Sequence, residues 1–242
     1  MTTNLARIIS LALSIGILNA ASISRAANII GTVTLTGTPP PEIAITSLTN
    51  DAACGLLQKG IPTTHFYVVG KNGELGDAVV SLKDGSGNEI TGKSTGASAA
   101  AAVLDQRGCL YTSQILAIQT GQKFTVKNSD PCMHNVHTTS KAGNVEHNDA
   151  QMQGGSNLNY TFDKPEMFMR IHCDIQPWMF AWVSIFDNPY FSISGTDGRF
   201  VIKDVPPGKY TVVANHRKLG EQAQTVELAD KDVTVNFTFE VK

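Results

Sequence analysis

The stretch NSDPCMHNVH (residues 128–137), followed by IHCDIQPWM (residues 171–179), decides how this sequence is interpreted. The first segment places His134 after a run that is typical of a β-strand, and the second places Cys173 and Met179 close together. A sandwich of strands can assemble a copper site from such parts, with an imidazole from one loop and two sulfur atoms from another. Electron-transfer copper sites use two histidines, one cysteine and a weak axial methionine. The pattern therefore predicts a copper site that includes His134, Cys173 and Met179.

These residues resemble the cupredoxin pattern of plastocyanin, in which a histidine followed by Asn-Val supplies the first ligand. The chain is more closely similar, from about residue 30 to its end, to the exported plastocyanin-like family called methylamine utilisation proteins. The ligand loop of that family reads Cys-Asp-x-His-Pro-Trp-Met, and this chain reads CDIQPWM. Gln176 therefore stands where the family has its second histidine. Asn188 likewise stands where a similar segment usually has histidine.

The resemblance implies a set of ligands for one copper ion. His134 and Cys173 would be equatorial and Met179 axial, with the fourth position held by Gln176 or by His137. A glutamine oxygen is a harder and weaker copper ligand than imidazole, so it should weaken Cu(II) binding and the thiolate colour. A site with one histidine and two sulfur ligands would instead favour Cu(I).

Other residues of the first ligand segment have expected roles of their own. We expect Asn135 to lie behind the ligands and to hold this segment in place by hydrogen bonds. Met133 could add a further sulfur ligand. His137 and His147 could each face the same cavity or lie exposed on a loop, and the sequence leaves both alternatives open.

Residues 1–26 have the form of a secretory signal peptide, with a basic residue, a short apolar run and small residues before the cleavage site. The alternative is a membrane anchor, but the apolar run is shorter than the roughly 20 residues that a spanning helix needs. We therefore expect a periplasmic or extracellular protein that is not inserted in a membrane after cleavage.

The chain has four cysteines, Cys54, Cys109, Cys132 and Cys173, and an exported protein can oxidise them. The resembling family has comparable cysteines before and after its first strands, which implies a disulfide between Cys54 and Cys109. The remaining two cysteines leave two alternatives. A free Cys173 could bind copper, whereas a disulfide between Cys132 and Cys173 would abolish a thiolate site.

Alternating apolar and polar residues predict strands through most of the chain, for example at residues 29–36, 65–69, 77–82 and 181–186. In the predicted strand at residues 167–173, parity places Cys173 on one face and His172 on the other. The polar residues 138–157 predict a long loop, and residues 44–62 predict a loop that can include one helical turn.

The pattern Asp-Gly-x-Phe followed by Pro-Pro-Gly-x-Tyr, within residues 197–210, resembles the carboxypeptidase regulatory-like (transthyretin-like) β-sandwich. We therefore predict an all-β chain: a cupredoxin-like Greek-key β-sandwich plus a small transthyretin-like β-sandwich. The expected parts are the signal peptide, an N-terminal β segment (27–74) that could complete the C-terminal sandwich, a cupredoxin-like domain (75–190) and the C-terminal module (191–242).

The charge of the sequence and its lack of catalytic motifs give little support to nucleic-acid binding or to catalysis. The formal net charge is −2 and no run of Lys or Arg is present, so nucleic acid is not an expected partner. The sequence has no phosphate loop, no nucleophile elbow and no His-x-x-x-His pair. We expect a copper-binding electron carrier with a redox partner protein. The alternatives are a Cu(I) carrier and a metal-free structural or partner-binding module.

Overall fold

The computed structural model describes residues 25–241, and the regular secondary structure of these residues is nearly all β-strand, which confirms the all-β prediction. The signal-peptide prediction lies mostly outside the described residues. The earlier strands are β1 (Ala27–Thr36), β2 (Val79–Asp84), β3 (Ala102–Gln106), β4 (Ile115–Gln119), β5 (Phe124–Asn128), β6 (His134–Thr139), β7 (Asn148–Gln151) and β8 (Leu158–Tyr160). The later strands are β9 (Glu166–His172), β10 (Phe180–Phe186), β11 (Phe191–Ile193), β12 (Arg199–Val205), β13 (Gly208–His216), β14 (Gly220–Leu228), β15 (Val233–Thr234) and β16 (Phe237–Glu240).

Helical structure is limited to the α-helix α1 (Thr46–Asn50) and two 3-10 turns, Gly55–Leu57 and Gly96–Ser98, among the described residues. The helical turn expected in residues 44–62 is therefore present. Within residues 25–241, no helix combines the length and the apolar character that crossing a membrane requires.

A five-stranded sheet with the order β4-β10-β9-β6-β7 carries both ligand segments. Strand β6 pairs antiparallel with β9 and β7, and β10 pairs antiparallel with β9 and parallel with β4. A smaller sheet, β3-β5-β8, contributes to the same hydrophobic core. Fully buried members of this core include Leu104, Phe124, Val136, Ile171 and Cys173. Burying one large apolar side chain of this kind contributes roughly 2 kcal/mol to folding.

A second core lies under β1 and the C-terminal strands. Strand β1 pairs antiparallel with β12 and parallel with β15 and β16, while β11, β2, β13 and β14 form another sheet. The core between them includes Ile29, Val33, Leu82, Phe200, Ile202 and Phe237. At Gly31, a Cβ atom would lie 1.6 Å from the carbonyl oxygen of Val235, so this close approach of two strands requires glycine.

The strand predicted at residues 65–69 is wrong, because only Val69 takes part in an isolated bridge, with Leu75. The carboxylate of Glu42 accepts the backbone N–H groups of Phe66 and Tyr67, at 3.0 and 2.7 Å. These donors are therefore satisfied by a side chain rather than by a neighbouring strand.

The long loop predicted at residues 138–157 is wrong too. It contains the end of β6 and all of β7, which pairs with β6 from His134↔Gln151 to His137↔Asn148. Strand β7 reads Asn-Asp-Ala-Gln and lacks the branched and aromatic residues that mark strands, so its polar composition concealed it. Strand β14 was not predicted either, because it is mostly polar, although it contains the β-branched residues Thr225 and Val226.

Candidate metal centre

The candidate ligands meet at one edge of the five-stranded sheet. His134 is the first residue of β6, and Cys173 follows the last residue of β9. Because β6 and β9 run antiparallel as neighbours, the start of one strand meets the end of the other. The sequence predicted His134 on a loop, whereas it lies in the strand and is therefore held by the sheet.

Three of the four predicted ligands converge on one point. The Oε1 atom of Gln176 lies 2.9 Å from Nδ1 of His134 and 2.9 Å from Sγ of Cys173. His134 and Cys173 are fully buried, and Gln176 is 7% exposed. An imidazole nitrogen, a sulfur and an amide oxygen thus face one another in a site closed to water.

Asp130 occupies the other side of the His134 ring. Its Oδ2 atom lies 2.9 Å from Nε2 of His134, and the carboxylate also accepts the backbone N–H groups of Gly108 and Cys109. An ionised carboxylate can only accept hydrogen bonds, so Nε2 carries the proton and donates it to Asp130. Sequence reasoning missed Asp130. Its position four residues before the histidine, in an Asn-Ser-Asp-Pro turn, was the available signal.

The electrostatics of the centre favour a negative sulfur beside a positive ring. Burial opposes a charge on His134, but hydrogen bonds to Asp130, Cys173 and Gln176 outweigh it and raise the pKa of His134 to about 9. Burial likewise opposes ionisation of Cys173, but the hydrogen bond to His134 and those from backbone amides lower the pKa of the thiol. Both shifts favour placing a shared proton on the His134 ring rather than on the Cys173 sulfur.

The backbone around Cys173 also points donors at its sulfur. The N–H groups of Asn135 and Gln176 lie 3.5 and 3.4 Å from Sγ. The side-chain oxygen of Asn135 lies 3.2 Å from Sγ and accepts the N–H group of Asp174 at 2.7 Å. Asn135 thus joins the two ligand segments directly, and its expected supporting role stays a prediction.

Met179 lies at the end of a tight turn that begins at Cys173. The Cys173 N–H donates to the Met179 carbonyl at 3.1 Å, and the Met179 N–H donates to the Gln176 carbonyl at 2.9 Å. The Met179 side chain is fully buried in the same core cluster as Cys173. The Trp178 indole donates to the carbonyl of Cys109 at 3.0 Å, which fastens this turn to the cysteine on the opposite side of the centre.

The cysteines divide as the family resemblance implied. Cys54 and Cys109 form a disulfide, which confirms the predicted pairing, and Cys132 and Cys173 are free. The alternative disulfide between Cys132 and Cys173 is not formed. Instead, the Cys132 sulfur lies 3.7 Å from the Cys109 sulfur and 3.7 Å from Nε2 of His134, on the side of the ring away from Gln176.

The other two candidate histidines lie elsewhere. His137 contacts the carboxylate of Asp174, with its Nδ1 atom 3.0 Å from Oδ2. The His147 ring packs on the Tyr160 ring at a centroid distance of 4.4 Å. The structure therefore brings Gln176, rather than His137 or His147, to His134 and Cys173. Asn188 is buried away from these contacts and donates to the carbonyl of Ile90 at 3.0 Å.

The residues present fit a copper ion. With Nε2 of His134 committed to Asp130, its Nδ1 lone pair is directed at the same point as the Cys173 sulfur and the Gln176 oxygen. Three lone-pair atoms that converge in a buried site need a cation between them, either a proton or a metal ion. Thiolate and imidazole are ligands that copper prefers.

Comparison with known proteins gives weak likenesses to copper proteins. No protein-family model and no curated protein matches this sequence. Among solved structures, the chain is similar to a Cu-containing nitrite reductase from Thermus scotoductus SA-01, with 15% identity over 42% of this chain and 26% of the reductase and a TM-score of 0.34. It is also similar to the Cu(I) form of an amicyanin variant, with 20% identity over 45% of this chain and 98% of the amicyanin and a TM-score of 0.32. The chain thus spans about a quarter of the reductase, and likenesses this weak do not assign a family or a ligand.

Proposed function

We propose that this chain is an exported copper-binding protein that carries electrons. His134, Cys173 and Gln176 would hold the ion, and Met179 would be its weak axial ligand. The observation that carries this proposal is the convergence of His134 Nδ1, Cys173 Sγ and Gln176 Oε1 while the other ring nitrogen is committed to Asp130. When bound, copper would supply one-electron redox chemistry at this point.

The chain's own residues would keep the ligands fixed. Asp130 orients the His134 ring and selects its Nδ1 atom for the metal. Two backbone N–H groups stabilise negative charge on Cys173. The buried cluster around Met179 and Ile171 excludes water and resists movement. Ligands that are held in place in both oxidation states allow rapid electron exchange.

A catalytic role for Cys173 has less support. Cys173, His134 and Asp130 are in hydrogen-bond series, which is an arrangement that can activate a nucleophile. However, Cys173 and His134 are fully buried, and the neighbouring surface cavity is lined by Tyr111, Trp178 and Met179. A substrate in that cavity would contact these lining side chains rather than the Cys173 sulfur or the His134 ring. We therefore propose that the chain is not an enzyme.

Export and a redox partner belong to the same proposal. The Cys54–Cys109 disulfide supports an oxidising compartment, in agreement with the signal peptide predicted for residues 1–26. Met133 and Ile175 lie in the two ligand segments, one residue from His134 and one from Gln176, and both are exposed. Exposed apolar side chains so close to the ligands would suit a transient redox partner protein.

A second candidate rests on the same contacts. A proton on Nδ1 of His134 would satisfy Gln176 and Cys173 without any metal, so a metal-free β module is the alternative. A third candidate, a Cu(I) carrier without redox cycling, would follow if sulfur ligands dominate the site.

The experiment is to measure copper content, visible absorption and oxidation state for the mature chain and for Cys173→Ser, with Cys132→Ser as the matched control. If the chain transfers electrons, the mature chain should contain about one copper ion and show a strong thiolate absorption band when oxidised. Cys173→Ser should lose both the copper and the band, and Cys132→Ser should keep both. Stable copper without the band in either oxidising or reducing buffer would indicate a Cu(I) carrier. An equal copper content in all three proteins, or no copper in any of them, would overturn the proposed site.

A further inference from the structure

A second group of metal-binding side chains lies on the opposite face of the same strands. His137 on β6 and His172 on β9 are directly paired across the two antiparallel strands. Their rings stack with centroids 4.5 Å apart. The carboxylate of Asp174 spans the pair, with Oδ2 3.0 Å from Nδ1 of His137 and Oδ1 3.1 Å from Nε2 of His172. Three potential ligand atoms are therefore already gathered at one place.

The spacing of these atoms suits a metal ion. Zinc bonds to nitrogen and oxygen at about 2.0 to 2.1 Å in tetrahedral sites, which puts neighbouring ligand atoms about 3.3 Å apart. The nitrogen-to-oxygen distances here are slightly shorter, so small outward movements of the side chains would admit an ion. The three ligand atoms all lie within 4.8 Å of one another.

The group is open to solvent, unlike the buried centre. The side chains of His137, His172 and Asp174 are 30%, 14% and 45% exposed. An ion held by three protein ligands at the surface keeps a position for water or for a further ligand. The carboxylate is also oriented from behind, because the Asn135 and Asn148 amides donate to its Oδ2 atom at 2.9 and 3.0 Å.

We propose that His137, His172 and Asp174 form a second metal site, open to solvent, for a divalent transition cation such as Zn²⁺. Two imidazoles and a carboxylate contain no sulfur, so the site selects zinc-like ions rather than Cu(I). This proposal does not require that copper binds at the proposed buried centre, although the two groups share one contact. Asn135 contacts both groups, since its amide reaches the Cys173 sulfur and the Asp174 carboxylate.

The test is a calorimetric titration of the full mature chain with Zn²⁺, carried out on the wild type, His137→Ala, His172→Ala and Asp174→Asn. We expect about one zinc ion per chain in the wild type and, in each variant, a loss of zinc affinity no smaller than the roughly 10 to 100-fold caused by removing a partner behind a metal ligand. His147→Ala is the matched control, because His147 is a comparably exposed histidine on the same hairpin whose Nδ1 atom lies 4.0 Å from Asp149. Its zinc affinity should equal that of the wild type.

Two results would overturn the proposal: no zinc binding by the wild type, or unchanged binding in His172→Ala. Circular dichroism and thermal unfolding on the same samples identify a variant that has lost its fold, and Asp174→Asn retains the shape of the carboxylate. Titration of Cys173→Ser separates the two sites, since zinc binding at His137 should survive that change. Failure of copper binding at the buried centre would therefore leave this result intact.

Discussion

The Oδ2 atom of Asp130 lies 2.9 Å from Nε2 of His134, and both side chains are buried. This contact determines which ring nitrogen is free to face Cys173 and Gln176. Because Asp130 also accepts two backbone N–H groups, it cannot rotate away without leaving donors unsatisfied. The carboxylate therefore fixes the orientation of the ring before any ion arrives.

Replacing Asp130 with asparagine should weaken copper binding by about 10 to 100-fold, the usual effect of losing a partner behind a metal-bound histidine. Competition with a chelator of known copper affinity measures this change. Asp163→Asn, a change at an exposed residue, is the control and should bind copper like the wild type. Equal affinity in Asp130→Asn would show that the contact does not govern the site.

Copper binding should depend on pH in a defined direction. The pKa of His134 is raised to about 9, so below that pH the His134–Cys173 pair holds a proton that a metal ion must displace. Affinity should therefore rise about tenfold per pH unit up to about pH 9 and level off above it. Titration in buffers of different ionisation enthalpy should detect about one proton released per ion. A flat pH profile would contradict the shared proton.

Gln176→His should restore the second imidazole that the resembling family has at this position. We expect Cu(II) affinity to increase roughly 100-fold, or about 3 kcal/mol, together with a stronger thiolate absorption band. Absorption spectroscopy and chelator competition measure both effects. Gln153→His places a histidine at an exposed position and should leave the spectrum unchanged. If Gln176→His lacked the stronger band, the oxygen of Gln176 would not mark a ligand position.

Loss of the disulfide should be partly compensated where Cys132 can pair with the cysteine that remains. In the chain-entropy model, a crosslink that spans 55 residues stabilises the fold by about 4 kcal/mol. In Cys54→Ser, the freed Cys109 can pair with Cys132, whose sulfur lies 3.7 Å away, so part of the stabilisation should return. The sulfur atoms of Cys54, Cys109 and Cys132 lie within 4.8 Å of one another, so the double change Cys109→Ser with Cys132→Ser leaves Cys54 without a partner in this group and should lose most of the stabilisation.

Urea unfolding and peptide mapping under oxidising conditions separate these two variants. Mapping of Cys54→Ser should find the Cys109–Cys132 crosslink, and the double change Cys54→Ser with Cys132→Ser should abolish it. Equal unfolding free energies for Cys54→Ser and for the double change Cys109→Ser with Cys132→Ser, with no new crosslink in Cys54→Ser, would contradict this prediction.

Stability should also fall in acid because of His216, which lies at the end of β13 against Phe239 and Tyr67. Burial lowers the pKa of His216 to about 4, so the unfolded chain takes up its proton first. The contribution of neutral His216 to the free energy of unfolding is fully present above about pH 6.5. It falls by up to about 3 kcal/mol as the pH decreases toward 4. Unfolding free energies at several pH values should show this loss in the wild type and less of it in His216→Phe. Parallel curves for the two proteins would exclude His216 as its source.

The ligand segments could be interpreted from sequence because their signals are local. The spacing of Cys173 and Met179 identified the second segment, and strand parity separated Cys173 from His172. Burial follows that parity, with Ile171 and Cys173 buried and His172 partly exposed. Asp130 was missed because a carboxylate in a turn is common and its target became evident only with the ring orientation.

The group of His137, His172 and Asp174 could not be predicted, because it depends on the register between β6 and β9. The paired histidines are 35 positions apart in the chain, and local periodicity carries no information about which residues of two strands lie opposite each other. The same limit concealed β7, whose polar residues are ordered by pairing with β6 rather than by their own propensity.

The partners of β1 have a consequence for how the chain is made. This strand ends at Thr36, and the strands that pair with it lie between Arg199 and Glu240. A chain that is synthesised, and by our proposal exported, from its N-terminus would emerge with β1 long before any of these partners. Its apolar residues would stay unpaired until synthesis is nearly complete, so folding should be slow and dependent on protection from aggregation. Moving β1 to the C-terminus by circular permutation should therefore speed folding while preserving both proposed metal sites.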